Sequence, residues 1–113
     1  MLKIFAVLLF LACNNEGKMK PIFEWDEEKR QKNIKERGLD IFEIASIMFD
    51  SSDTIIWSDN RKDYGEKRFR AFAIVKEECI CLCFTRRNKK MHLITIFRMR
   101  KKEWEKCCER KNN

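Results

Sequence analysis

The chain has 113 residues, 44% hydrophobic and 38% charged, which is enough for one domain with a modest core. Its 25 lysines and arginines outnumber 18 acids for a net charge of +7, a balance that favours polyanions or an acidic protein partner. One proline and three glycines exclude a linker or a disordered tail.

In chain order, residues 1–18 stand apart from the rest. Lys3 followed by the apolar run Ile4 to Ala12 has the shape of a signal-peptide core, too short to span a bilayer. "FLAC", ending at Cys13, resembles a bacterial lipoprotein cleavage box with poor matches at Phe10 and Leu11. Three readings stay open: a mis-assigned start with Met19 as the first residue, a genuine export signal with Cys13 acylated, or a native extra segment. Removing the segment takes away two lysines and one glutamate and leaves the chain basic. The expected organisation is a signal-like segment, 1–18, before a domain over 19–113.

"PIFEWD" (21–26) predicts a short strand with Phe23 and Trp25 on one face. Asp26 is a good N-cap, with Glu27 and Glu28 in the first turn and Gly38 as the left-handed stop, so "EEKRQKNIKER" predicts a helix. Ile34 is its only apolar residue, so it is either a solvated helix laced with charge pairs or one whose polar face meets a ligand. "DIFEIASIMF" is the opposite, a core helix with Asp40 and Glu43 placed for a capping box. "TIIWS" (54–58), "KRFRAFAIV" (67–75), "CICLCFT" (79–85) and "MHLITIFR" (91–98) predict four strands in a meander, and "RKKEWEKCCER" a final helix. The order implies an α+β fold: a strand and two helices, an antiparallel meander, and a C-terminal helix, with the helices on one side of a curved sheet.

Cys79, Cys81 and Cys83 alternate on one strand face, and Cys107 and Cys108 are adjacent in the last helix. Separated ligand pairs and a partnering histidine are missing, so no metal site is expected, and buried free thiols in a reducing cytosol account for the pattern.

The stretch "DNRKDYGEKRFRAF" (59–72) gathers Arg61, Lys62, Lys67, Arg68 and Arg70 around Tyr64 and Gly65, more positive charge than a solvated hairpin needs. Taken with "FEWDEEKRQKNIKERGLDIFEIASIMFD", a "TRR" turn and "HLITIFRMRKKEWE", it resembles the BrnT-type toxins over residues 19 to about 107. That resemblance implies a RelE-like fold and the ribonuclease half of a bacterial type II toxin–antitoxin pair, acting in the cytoplasm. It implies metal-independent cleavage without cofactor, in which the ribose 2′-hydroxyl attacks the adjacent phosphate. The protein then stabilises the crowded phosphate oxygens and moves protons.

The catalytic candidates are Arg61, Tyr64, Arg68 and His92, and the RNA-binding candidates Lys29, Asn33, Lys62, Arg70 and Arg98. Arginine suits a phosphate because its planar fork stays charged and binds in a bidentate way. Tyr64 would stack on a base or position the substrate, and Gly65 would let the chain turn. Each candidate has a plainer rival: Arg68 and Arg70 on the wet face of an edge strand, Glu66 paired with an arginine, His92 structural. The expected partners are an RNA substrate and a DNA-binding antitoxin that represses its own operon, with a higher-order complex on an antitoxin dimer.

This chain departs from the family pattern. Glu36-Arg37-Gly38 stands for a usual Lys-His-Gly, and Phe97 for an arginine expected near the phosphate. Arg98 substitutes only if the last strand slips by one residue, which would flip its faces. The same fold as a catalytically degenerate RNA- or antitoxin-binding module is therefore an open alternative, as is a membrane lipoprotein.

Overall fold

The computed structural model describes residues 5–8 and 22–111, so the readings made for residues 1–18 lie outside the described residues except at one short strand. The elements are β1 (Phe5–Leu8), β2 (Phe23–Asp26), α1 (Glu27–Arg37), α2 (Ile41–Asp50), β3 (Ile55–Asp59), β4 (Arg68–Val75), β5 (Glu78–Arg87), β6 (Lys90–Arg98) and α3 (Lys101–Lys111). They form an α+β domain on a six-stranded sheet of order β1-β2-β6-β5-β4-β3. β3 to β6 make the expected antiparallel meander. β2 joins it parallel to β6, through Phe23↔Met91, Glu24↔His92 and Trp25↔Leu93, so the sheet is mixed.

The local signals act as the sequence predicts. The Asp26 carboxylate accepts from the Lys29 amide and caps α1, and Gly38 ends it at φ 66°. Asp40 accepts from the Phe42 and Glu43 amides, but the box is only half made. The Glu43 carboxylate reaches Lys76 on the far hairpin instead. Asp40 also takes the Arg30 guanidinium in a two-pronged pair, at 2.8 and 2.9 Å, which locks the α1–α2 corner.

The polar face of α1 is largely exposed to solvent, with Glu27 accepting from Arg30 and Gln31 along it, as the solvated-helix reading expects. β2 stops at Asp26, and α1 runs on beside the exposed edge of β6. There Lys29 Nζ donates to the Ile94 carbonyl at 2.5 Å and Arg37 to the Ile96 carbonyl at 3.3 Å. Backbone acceptors that a strand would have satisfied are thus met by cations of a helix.

α2, with Leu39 just before it, covers one face of the sheet, over Phe23, Leu82, Phe84, Leu93 and Ile96. α3 lies on the other. The expectation of helices on a single side fails because β4 and β5 are apolar on both faces. Phe72, Cys81 and Cys83 need cover too, and Cys107 and Trp104 of α3 provide it. Burying a side chain such as Met48, Phe72 or Leu82 is worth about 1.5–3 kcal/mol each, so neither face could be left open.

Candidate nucleic-acid interface

The register of the sheet lines up side chains on the α3 face in rows. Asp59, Arg68, Thr85, His92 and Glu24 are successive cross-strand partners over five strands. The next row is Trp57, Arg70, Cys83 and Thr95, and the third is Ile55, Phe72, Cys81 and Phe97. The face therefore grades from polar to apolar, and α3 sits on the apolar end. A register shift at Cys83/Phe84, which leaves Ile94 unpaired on β6, puts His92 on the same face as Phe97. Without it, His92 would share a face with the core residue Ile96.

Asp59 organises the basic loop from below. Its side chain is only 3% exposed. It accepts Arg61 Nε at 2.8 Å and Nη2 at 2.9 Å, the Arg61 amide at 3.2 Å and the Tyr64 hydroxyl at 3.3 Å. The Arg61 guanidinium and amide hold the Asp59 carboxyl far below the usual carboxylate range. Asp63 then accepts the amide of Gly65, which turns at φ 72° where a side chain would be strained. The result places the Arg68 guanidinium 4.2 Å from the centre of the Tyr64 ring, with Lys62 Nζ at 5.3 Å.

Arg68 lies beside His92 and Lys29 in an open cleft of about 220 Å³ completed by Asp26, Arg87, Leu93 and Ile94. Glu66 is clamped by Arg87, at 2.8 and 3.1 Å, and lies 3.6 Å from Arg68 Nε. Arg87 chiefly, with Arg68 behind it, keeps the Glu66 carboxyl below its ordinary range, so it is a paired anion rather than a base near neutrality. His92 Nδ1 is 2.9 Å from Glu24 Oε1, and the imidazole is largely buried. A carboxylate that holds one ring nitrogen orients the other for proton transfer. Arg68 Nε and Arg70 Nε are both buried without a hydrogen-bond partner, donors for which an anion is a natural acceptor.

Of the residues singled out in the sequence, Lys29, Arg68 and His92 come together in this cleft, and Tyr64 and Lys62 stack at its rim. Arg61 and Arg70 line a neighbouring cleft instead, toward α3. Asn33, the one buried residue of α1 at 6% exposed, has its Nδ2 without a hydrogen-bond partner and is not brought to the cleft lining. Arg98 is not brought to the site. It pairs with Glu78 and donates to the Arg37 carbonyl at 2.7 Å, beyond the apolar end of the sheet. Its register partner is Ile80, so it faces away from Phe97, and the slip that would let it replace an arginine at 97 does not occur.

Sequence reasoning missed Glu24 and Asp59. Both sit at alternating positions of short strands, but their partners are 68 and two residues away, and only the parallel β2–β6 pairing reveals the first. Among the described residues, no cluster of histidine, cysteine and acidic side chains could hold a metal ion.

Residues 25–103, more than half of the chain, match the family described as ribonuclease toxin, BrnT, of type II toxin–antitoxin system. No curated protein and no solved structure matches the chain.

Proposed function

The chain belongs to the BrnT family of type II toxin–antitoxin ribonuclease toxins, and on that premise we propose that it cuts RNA at the cleft of Lys29, Arg68 and His92. The observation that carries this reading is the row Arg68–Thr85–His92–Glu24, which sets a fixed guanidinium beside an oriented imidazole over a cationic hollow. The scissile phosphate lies against Arg68 and Lys29, whose charge offsets the negative charge that builds on its oxygens in the transition state. The neighbouring ribose 2′-hydroxyl attacks phosphorus in line as its proton leaves. The 5′-oxygen of the next nucleotide departs with a proton, and a 2′,3′-cyclic phosphate remains. His92, held by Glu24, exchanges one of these protons. No metal takes part. Tyr64 presents a ring to a base while bracing Arg68, and Arg61 acts by fixing the loop to Asp59.

Membership of the family implies an RNA substrate and a cognate antitoxin. In our reading the antitoxin covers the basic cleft and carries the DNA-binding function of the operon repressor, and the toxin acts in the cytoplasm. Among the described residues, no helix is long and apolar enough to cross a membrane.

Expression of Arg68→Ala, with Arg68→Lys beside it, tests the assignment. Loss of a preorganised charge donor costs about 10²–10³ in rate, so growth arrest should disappear with Arg68→Ala while the protein stays folded. Arrest that persists undiminished removes Arg68 from the chemistry. Phe97 favours a second reading, a module that binds RNA without cutting it, because it stands where the resemblance implies an arginine and Arg98 faces away. RNA left intact under salt-dependent binding would select that reading.

A further inference from the structure

Next to the phosphate cleft, between the sheet and α3, is a second open cleft of about 170 Å³ that the chemistry above does not use. Its sheet side carries Trp57, Arg70 and Phe97, its loop side Arg61, and its helix side Glu103 and Lys106. We propose that this cleft is a nucleobase subsite selective for guanine, taking the base of a nucleotide adjacent to the phosphate held at Arg68. The proposal deepens the ribonuclease reading and rests on it for the position of that phosphate.

Three observations point to a base. First, the two clefts are joined by Arg68 and Arg70, residues i and i+2 on β4 with side chains on the same face, about 6–7 Å apart along the strand. A nucleotide anchored by its phosphate at Arg68 has its base within reach of the second cleft. Second, exposed aromatic surface beside cations is the usual stacking platform for unpaired bases, worth about 1–3 kcal/mol per base. Trp57 and Phe97 are each only partly buried against the cluster beneath α3, so part of each ring faces the cleft. Third, Arg70 Nε is buried with no acceptor, although its guanidinium lies 5.3 Å from the Phe72 ring centre. An unmet buried donor costs about 1–3 kcal/mol, and a base acceptor would relieve it.

The donor pattern selects the base. Arg70 and Lys106 offer N–H donors, and Glu103 offers a carboxylate. Guanine alone among the four bases presents two acceptors, O6 and N7, on one edge and N–H donors at N1 and N2 on the next. In a single strand both edges are free to be read. Adenine would set its N6 amino group against the cations. Uracil and cytosine would leave much of the cleft unfilled.

The test uses the purified full chain and fluorescently labelled uridine hexamers with one central guanosine, adenosine or cytidine, 2′-O-methylated throughout so that none can be cut. Wild type should bind the guanosine hexamer roughly tenfold tighter than the adenosine hexamer, the discrimination of one good bidentate base contact. Glu103→Gln and Lys106→Gln, both at exposed helix positions, should each reduce that preference to less than about threefold. Equal wild-type affinity for all hexamers, or an unchanged guanosine preference in both variants, overturns the subsite. Guanosine preference in a protein that leaves unmodified RNA intact would uphold the subsite and refute cleavage instead.

Discussion

Replacing Asp59 by asparagine keeps the shape of the side chain and removes the charge that Arg61 and Tyr64 converge on. Two hydrogen bonds from the Arg61 guanidinium, at 2.8 and 2.9 Å, lose their ionic acceptor, and the loop amide and tyrosine contacts weaken. Hydrogen bonds to a charged group contribute about 1.5–3 kcal/mol each. Arg61 is 55% exposed, however, so solvent screens its share and the sum must be discounted. We expect a net loss of about 2 kcal/mol at pH 7, which for a domain of this size lowers Tm by about 8–16 °C. The pH dependence has a definite sign. The Asp59 carboxyl is depressed in the folded state, so its contribution is complete above its unfolded value of about 4 and fades as pH falls toward the folded one. Urea denaturation of both proteins at pH 7, 5 and 3 measures the gap, which should be constant between the first two and shrink at the third. A gap below about 0.5 kcal/mol at pH 7, or one that widens in acid, would refute the role given to Asp59.

His92→Gln should lower single-turnover RNA cleavage by about 10²-fold or more, and Glu24→Gln by less, because the second only loosens the ring; unchanged rates would make the pair structural. Gly65→Ala meets no atom within 4 Å, so its cost should be the left-handed backbone alone, about 1–2 kcal/mol by urea denaturation. The β4–β5 hairpin turns through Lys76 at φ 51° and Glu77 at φ 70°, both unfavourable for side-chain-bearing residues. Glu77→Gly should therefore stabilise by about 1 kcal/mol, and a loss would show that the turn is not strained.

Much of this fold can be read from local chemistry. Asp26 and Gly38 bound α1, and the alternation in "KRFRAFAIV" assigns Ala71 and Ala73 to one face and Arg70 and Phe72 to the other, as observed. What the sequence hides is pairing at a distance. β2 enters parallel to β6, and this single contact brings Glu24 to His92. The Ile94 irregularity, which turns His92 toward the site, has no glycine or proline to announce it. The arginines of the loop read alike along the chain, yet they divide by role. Arg61 is tied to a buried carboxylate, while Arg68 and Arg70 each keep a buried Nε without a hydrogen bond, the first only loosely ion-paired with Glu66. Charge counting finds the patch but not this division.

The chemistry of the RNA ends speaks most directly to the central claim. Purified wild type, incubated with RNA in excess EDTA, should leave 2′,3′-cyclic phosphate and 5′-hydroxyl termini by mass spectrometry, and Arg68→Ala should leave the RNA whole. Fragments ending in 3′-hydroxyl and 5′-phosphate, or the same cyclic ends from Arg68→Ala at the wild-type rate, would contradict cleavage at the Arg68–His92 cleft.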